Sequence, residues 1–380
     1  MFGVTLLLRS PITAVPPALA TVRDDLGLSE FAAGATTSLP LICFGVFAFL
    51  APFLIARWGL ERAMPAVLIP LLAGIVLRSA GLTWTFFVGA VLVGSGIAVG
   101  NVLVPALIRA RFAGRVALFM GLYTAVIQVS GAVGSALTAP LQTRAGWSWE
   151  FAVGIWALPA ILTLAWWWPV LRHSPPRDTR AAPPTGMGTV VVRPMTWVIT
   201  VFMGLQSLVY YSLLTWLPDQ LTAAGHSEAG AGLLLGLFSL LGLPGAFLAP
   251  RFATGARAVP FLALVYGGQA LGVTLLGFGT ASAAVGVVLI GLAQGASFSI
   301  AMTFIADQPH AGDVPALAAF AQGAGYMLAA TGPMALGAIF AAAGTWWAPN
   351  AVVLTAIGTV FILGCIAGTR LHAAHRAAGR

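Results

Sequence analysis

The sequence predicts an all-α membrane protein: twelve transmembrane helices in two pseudo-symmetric six-helix bundles. Three observations carry this. Of 380 residues, 59% are hydrophobic and only 7% charged, against roughly 25% charged in a soluble domain. The apolar residues run in twelve continuous stretches, most near the roughly 20 residues that cross a bilayer. One polar, proline-rich segment divides them six and six. So few charges, with a mean hydropathy of +0.96, exclude an ordinary soluble enzyme. Transmembrane strands need polar alternation, which is missing, so helices are the remaining way to satisfy the backbone in lipid.

The spans are read as 2–22, 31–56, 63–82, 84–108, 116–141, 149–171, 194–217, 228–250, 258–279, 281–306, 314–343 and 346–369. The first run lacks a small-residue cleavage pattern and is read as span 1 rather than a cleaved signal. All 18 basic side chains are Arg, giving a net charge of +8. With the N-terminus in the cytoplasm, one set of loops holds Arg57, Arg62, Arg109, Arg111, Arg115, Arg172, Arg177, Arg180, Arg193, Arg251 and Arg257, and the tail adds Arg370, Arg376 and Arg380. The opposite loops hold only Arg23 and Arg144, beside Asp24, Asp25, Glu30 and Glu150. This bias is the positive-inside pattern. It predicts an inner-membrane protein with both termini cytoplasmic, and accounts for the basic excess without nucleic acid, which would need one clustered patch. Most Trp residues sit near span ends, as an interfacial belt requires.

Residues 172–193 carry four prolines and no hydrophobic period, so they read as a cytoplasmic linker. The expected organisation is a bundle over 1–171, a second over 194–370, and a cytoplasmic tail over 371–380. The halves echo each other. Ala51-Pro52 followed by Arg62-Ala-Met-Pro65 is answered by Ala249-Pro250 followed by Arg257-Ala-Val-Pro260. One offset lays Gly94 of span 4 on Gly291 of span 10 and Arg9 of span 1 on Gln206 of span 7.

Polar groups in hydrocarbon are costly and tend to face a cavity or a partner. Near mid-span lie Arg9, Asn101, Gln128, Gln206, Gln294 and Gln322. Tyr210, Phe298 and Tyr326 follow the last three Gln residues at i,i+4, on the same helix face, and Tyr123 lies near the inner end of span 5. These ten residues are the candidate solute-binding set. Arg9 is the sharpest, since its guanidinium keeps its charge and costs about 2.5–3.5 kcal/mol at depth on insertion scales. All ten acids fall at or near span ends. Arg9 is therefore expected to meet an anionic or electron-rich solute; the alternatives are snorkelling, or bonding to carbonyls freed near Pro11 and Pro16. For the Gln and Tyr residues the alternative is an interhelical hydrogen bond. Arg78, near the outer end of span 3, either anchors at the interface or lines an outer vestibule.

Cys43 and Cys365 sit in apolar runs with no metal spacing, and neither metal nor cofactor is expected. The five His residues fall in loops or the tail, so proton coupling has no obvious carrier and facilitated transport or exchange is easier to argue. Gly131 and Gly134 in span 5, and Gly323, Gly325, Gly332 and Gly337 with Pro333 in span 11, mark close packing or flexion.

The twelve spans, the six-plus-six split and the loop Pro52-Phe-Leu-Ile-Ala-Arg57-Trp-Gly59-Leu-Glu-Arg62 resemble the major facilitator superfamily. The loop keeps Arg57, Gly59 and Arg62 as gating residues but has Ala56 where that family usually has Asp. Within it, the chain looks like the cyanate and 2-nitroimidazole transporter branch. The similarity runs through Leu8-Arg9-Ser-Pro11-Ile-Thr, Ser38-Leu-Pro40, Gly100-Asn101 with Pro105, Gly121-Leu-Tyr123-Thr124, Met203-Gly204-Leu-Gln206-Ser207, Tyr210-Tyr211, Gly291-Leu-Ala-Gln294-Gly295-Ala-Ser-Phe298, and Ala321-Gln322 with Gly325-Tyr326. Where that branch often has Asn two residues before the Arg, this chain has Leu7. The resemblance implies alternating access, with spans 1, 4, 7 and 10 lining a cavity, and a small anionic or nitro/azole-containing substrate carried by a monomer in the bilayer. A multidrug-type efflux carrier is the alternative. An embedded enzyme would need a mid-membrane acid–base cluster, and a non-transporting sensor would need a large soluble domain.

Overall fold

In the computed structural model the described residues are 1–47, 50–112, 115–173, 190–253, 255, 257–307 and 314–377, and among them every regular element is helical. Arg177, Asp178 and Arg180 of the expected linker lie outside the described residues, as do His310, Asp313 and Arg380. Among the described residues, eleven helices are long and apolar enough to cross a membrane, and Pro65–Arg78 is a shorter apolar helix in the place of span 3. The outward surface is itself apolar: Phe151, Trp166 and Leu264 stand exposed, as lipid-facing side chains do.

Several boundaries differ from the sequence reading. Span 1 is broken into Phe2–Leu7, Ser10–Thr13, a 3₁₀ turn at Pro16–Ala18, and Leu19–Leu26. Pro11 and Pro16 lack the N–H that a continuous helix uses. Span 2 comprises Glu30–Phe47 and Leu50–Trp58. Span 3 is 14 residues long, which reaches only about 21 Å at 1.5 Å per residue. Span 12 continues as helix to Ala377, past the expected end at 369. The others are span 4 (Thr83–Arg111), span 5 (Val116–Thr143), span 6 (Trp149–Gly154 and Ala157–His173), span 7 (Pro194–Ala223), span 8 (Glu228–Leu248), span 9 (Ala258–Leu275), span 10 (Thr280–Ala306) and span 11 (Val314–Ala343).

The chain forms two compact units. The first comprises Met1–Ala182 with Glu228–Gly236; the second comprises Pro183–Ser227 with Leu237–Arg380. In the first, spans 3 and 4 cross at bare backbone: a Cβ on Gly74 would lie 2.6 Å from the Gly89 carbonyl oxygen, and one on Gly89 would lie 2.6 Å from that of Gly74. In the second, spans 9 and 10 repeat the arrangement, with the Gly272 Cβ position 2.8 Å from the Gly286 carbonyl and the Gly286 position 2.5 Å from that of Gly272. Gly94 meets Pro40 of span 2, and its offset mate Gly291 meets Phe238 of span 8. The repeat read in the sequence therefore has a packing counterpart within each unit.

Candidate functional site

In the first unit the site starts from the break in span 1. An unbroken helix would bond the Ser10 N–H to the Leu6 carbonyl. Instead Ser130 of span 5 stands between them. Its Oγ accepts from the Ser10 N–H at 3.0 Å and donates to the Leu6 carbonyl. A hydroxyl can do both at once, and inserting a side chain into the helical ladder is a recognised cause of kinking. Ser10 Oγ adds a 2.9 Å bond to the same Leu6 carbonyl. Gly134, one turn beyond Ser130, lets the break lie close, since a Cβ there would fall 2.8 Å from the Ser10 carbonyl oxygen.

Arg9 occupies this break. Its backbone is non-helical (φ −131°, ψ −46°) and its carbonyl accepts from the Ile12 and Thr13 N–H groups, both at 3.1 Å. The side chain is half-buried, and its charge acts on Tyr123 of span 5. Tyr123 and Gln128 are half-buried on span 5 and Asn101 is half-buried on span 4. Asn101 makes no side-chain hydrogen bond among the described residues. Its neighbour Gly100 faces Leu8, just before the break: a Cβ there would lie 3.7 Å from Leu8 Cγ. The first unit thus places Arg9 within electrostatic reach of Tyr123, in a break held by Ser130, which the sequence reading missed.

Arg78 behaves differently from both expectations. It is 3% exposed, and its Nε and Nη2 meet no hydrogen-bond acceptor among the described residues. It is neither an interface anchor nor an open vestibule wall, because close packing of spans 3 and 4 encloses it.

In the second unit, Tyr210 and Tyr326 join an aromatic group. The Tyr210 ring stacks on Phe238 (5.6 Å, 19°) and meets Tyr211 edge-on at 4.9 Å, while Tyr211 lies 6.5 Å from Tyr326. Spans 7 and 11 come this close because Gly204 and Gly325 face each other, the Gly204 Cβ position lying 3.1 Å from the Gly325 carbonyl. Gln322 and Tyr326 are both half-buried. Tyr211 and Phe238 were not anticipated; the Tyr210-Tyr211 pair was the available signal.

Two candidates turn inward. Gln206 is 3% exposed, and its Nε2 is committed to Ser207 Oγ at 2.7 Å and the Met203 carbonyl at 3.2 Å. Gln294 is 6% exposed, and its Oε1 accepts from Gln269 Nε2 at 2.9 Å. Gln294 thereby joins spans 9 and 10, while the bonds of Gln206 stay within span 7. Phe298, expected to share a surface with Gln294, is 44% exposed instead.

In the loop after span 2, Arg57 and Arg62 are exposed and Gly59 turns the chain at φ +81°, a conformation that favours glycine. Glu61 of the same loop is paired: its Oε1 accepts from Arg111 Nε at 2.6 Å and pairs with Nη2 as well, while its carbonyl accepts from Trp167 Nε1 at 2.9 Å. Among the described residues no group of His, Cys, Asp and Glu could hold a metal ion.

Comparison with known proteins bears on the family and the fold. The sequence profile described as Major Facilitator Superfamily matches residues 1–333. The chain is 35% identical to the 2-nitroimidazole transporter of Escherichia coli (strain K12) over 371 residues, 95% of this chain and 92% of that one. It is 28% identical to the cyanate transport protein CynX of the same strain over 361 residues, 92% of each chain. The crystal structure of an auto-inhibited POT-family peptide transporter has the same fold, with a TM-score of 0.75 at 13% identity, covering 98% of this chain and 95% of that one. With its broken first span, its repeated glycine crossings and its profile match over most of its length, the chain is a carrier of the major facilitator superfamily.

Proposed function

We propose that this carrier moves a small polar solute, a cyanate-like anion or a nitroimidazole-like compound, across the cytoplasmic membrane by alternating access between two six-helix halves. Both termini lie in the cytoplasm, as the Arg distribution supports. Arg9 is the principal solute contact, aided by Tyr123, Gln128 and Asn101 from the first half and by Tyr210, Phe298, Gln322 and Tyr326 from the second. Gln294 positions spans 9 and 10 rather than the solute, and the Gln206 amide is turned back onto its own helix.

One observation carries the reading: Arg9 sits in a helix break that Ser130 props open, within electrostatic reach of Tyr123. In carriers, discontinuous helices commonly build the solute site. A fixed cation next to a phenol suits a solute with electron-rich oxygen or nitrogen at one edge and a flat face. The relatives' names point the same way.

The test is purified protein in liposomes, with uptake of labelled cyanate and of 2-nitroimidazole measured with and without a proton gradient. Saturable flux of one of them is expected, and Arg9→Lys or Arg9→Ala should lose it while still inserting. Flux of neither, or flux indifferent to Arg9, overturns the substrate class.

A further inference from the structure

Phe238 of span 8 is not among the proposed solute contacts, yet its ring is placed to control one of them. It is 1% exposed. Its backbone is held by span 10, where a Cβ on Gly291 would fall 2.9 Å from the Phe238 carbonyl oxygen and 3.2 Å from its Cα. The small residue admits this close approach, and the Phe238 ring is left as a fixed surface. The Tyr210 ring lies nearly parallel to it, 5.6 Å away at 19°, an arrangement aromatic pairs favour. Tyr211, 4% exposed, meets Tyr210 edge-on at 4.9 Å and 83°. Two buried rings therefore hold Tyr210 in place.

Tyr210 itself is half-buried, so most of the open surface of these three rings belongs to it. The opening is local. Met203, Ser207 and Leu214 lie two turns before, one turn before and one turn after Tyr210 on the same helix face, and all three are buried. A lipid-facing side chain would stand in an exposed stripe along the helix. Tyr210 instead borders a hollow midway along a closed face of span 7. Tyr326 is also half-buried, with its ring 6.5 Å from that of Tyr211, and it adds a second open phenol to the group.

We propose that Phe238 is a specificity-determining positioning residue: by fixing the plane of the Tyr210 ring, it presets an aromatic contact for a flat, ring-bearing solute and sets how strongly the carrier prefers rings to linear ions. A solute ring gains from meeting Tyr210 by face or by edge, since both geometries are favourable. A linear anion has no ring to offer, and the negative π faces of the group disfavour it. Holding Tyr210 still in advance lessens the side-chain ordering that binding requires. The inference rests on the reading of Tyr210 as a solute contact given above.

The test measures binding of labelled 2-nitroimidazole, a flat ring, and of labelled cyanate, a linear anion, to the purified full-length carrier in detergent by equilibrium dialysis. Phe238→Leu should weaken 2-nitroimidazole about two- to tenfold, the value of one aromatic contact, and leave cyanate unchanged. In a Tyr210→Leu background the same substitution should cost nothing further, because Phe238 acts through Tyr210; a merely structural role would give additive losses. Phe238→Met, which keeps the apolar volume without a flat face, serves if the Leu variant does not fold. Cyanate binding without 2-nitroimidazole binding would leave the solute reading standing and overturn this inference alone. So would a loss of ring affinity in Tyr210→Leu but not in Phe238→Leu, or an equal loss for both probes in Phe238→Leu. Ring affinity unchanged in Tyr210→Leu, or no saturable binding of either probe, would overturn the reading of Tyr210 and this inference with it.

Discussion

The Ser130 hydroxyl occupies the gap between the Ser10 N–H and the Leu6 carbonyl, the two groups that would bond each other if span 1 were continuous. A residue of span 5 therefore decides the shape of span 1, and with it where Arg9 stands. Ser130→Ala should either leave both backbone groups unmet, at a cost of about 1–3 kcal/mol, or let them close on each other and carry Arg9 away. Both routes predict weaker solute affinity in a protein that still reaches the membrane, and Ser130→Thr should preserve it. Thermal unfolding in detergent together with solute binding checks this; unchanged values for the Ala variant would refute it.

The glycine crossings give a second expectation. Gly89→Leu and Gly286→Leu place a side chain against a carbonyl of the facing helix, and overpacking of this kind costs about 1–3 kcal/mol or more. Gly267 has open space where its Cβ would go, so Gly267→Leu should leave the melting temperature nearly unchanged.

For the buried amide pair of spans 9 and 10, one deletion should be worse than two. Gln294→Leu strands the Gln269 amide at about 1–3 kcal/mol, whereas removing both amides is nearly neutral. A double-mutant cycle on thermal stability measures the coupling. Solute affinity of the folded double variant should equal that of the unmodified protein; a marked loss would return Gln294 to the solute site.

The Glu61–Arg111 pair is a surface contact, with Arg111 half exposed. Glu61→Gln should cost only about 0.2–1 kcal/mol. The loss should fade at about 1 M salt, where screening reaches about 3 Å. Melting temperatures at low and high salt test it, and a large, salt-insensitive loss would contradict this reading.

How far the sequence was legible follows from what kind of fact each feature is. The twelve helices and the repeat at Gly94 and Gly291 are matters of local chemistry and spacing, so they could be read directly. Arg9 could be singled out because a charge in an apolar run is conspicuous by itself. Ser130 could not, because a serine in a small-residue helix gives no sign of a backbone group 120 positions away. Periodicity gave Gln294 a helix face but not the neighbour opposite it, and Gln269 supplied the acceptor's partner. Gln269 stands in an apolar stretch and carried the same signal as the residues that were selected. Span 3 came out short because hydropathy continues past Arg78 while the helix ends at Ser79.

Helices that touch carbonyl to Cα have nothing soft between them to slide on. Spans 3 and 4 must then travel as one beam, and so must spans 9 and 10. A pair of spectroscopic labels set across either crossing would report a constant distance through the whole transport cycle, leaving the motion to seams cushioned by longer side chains.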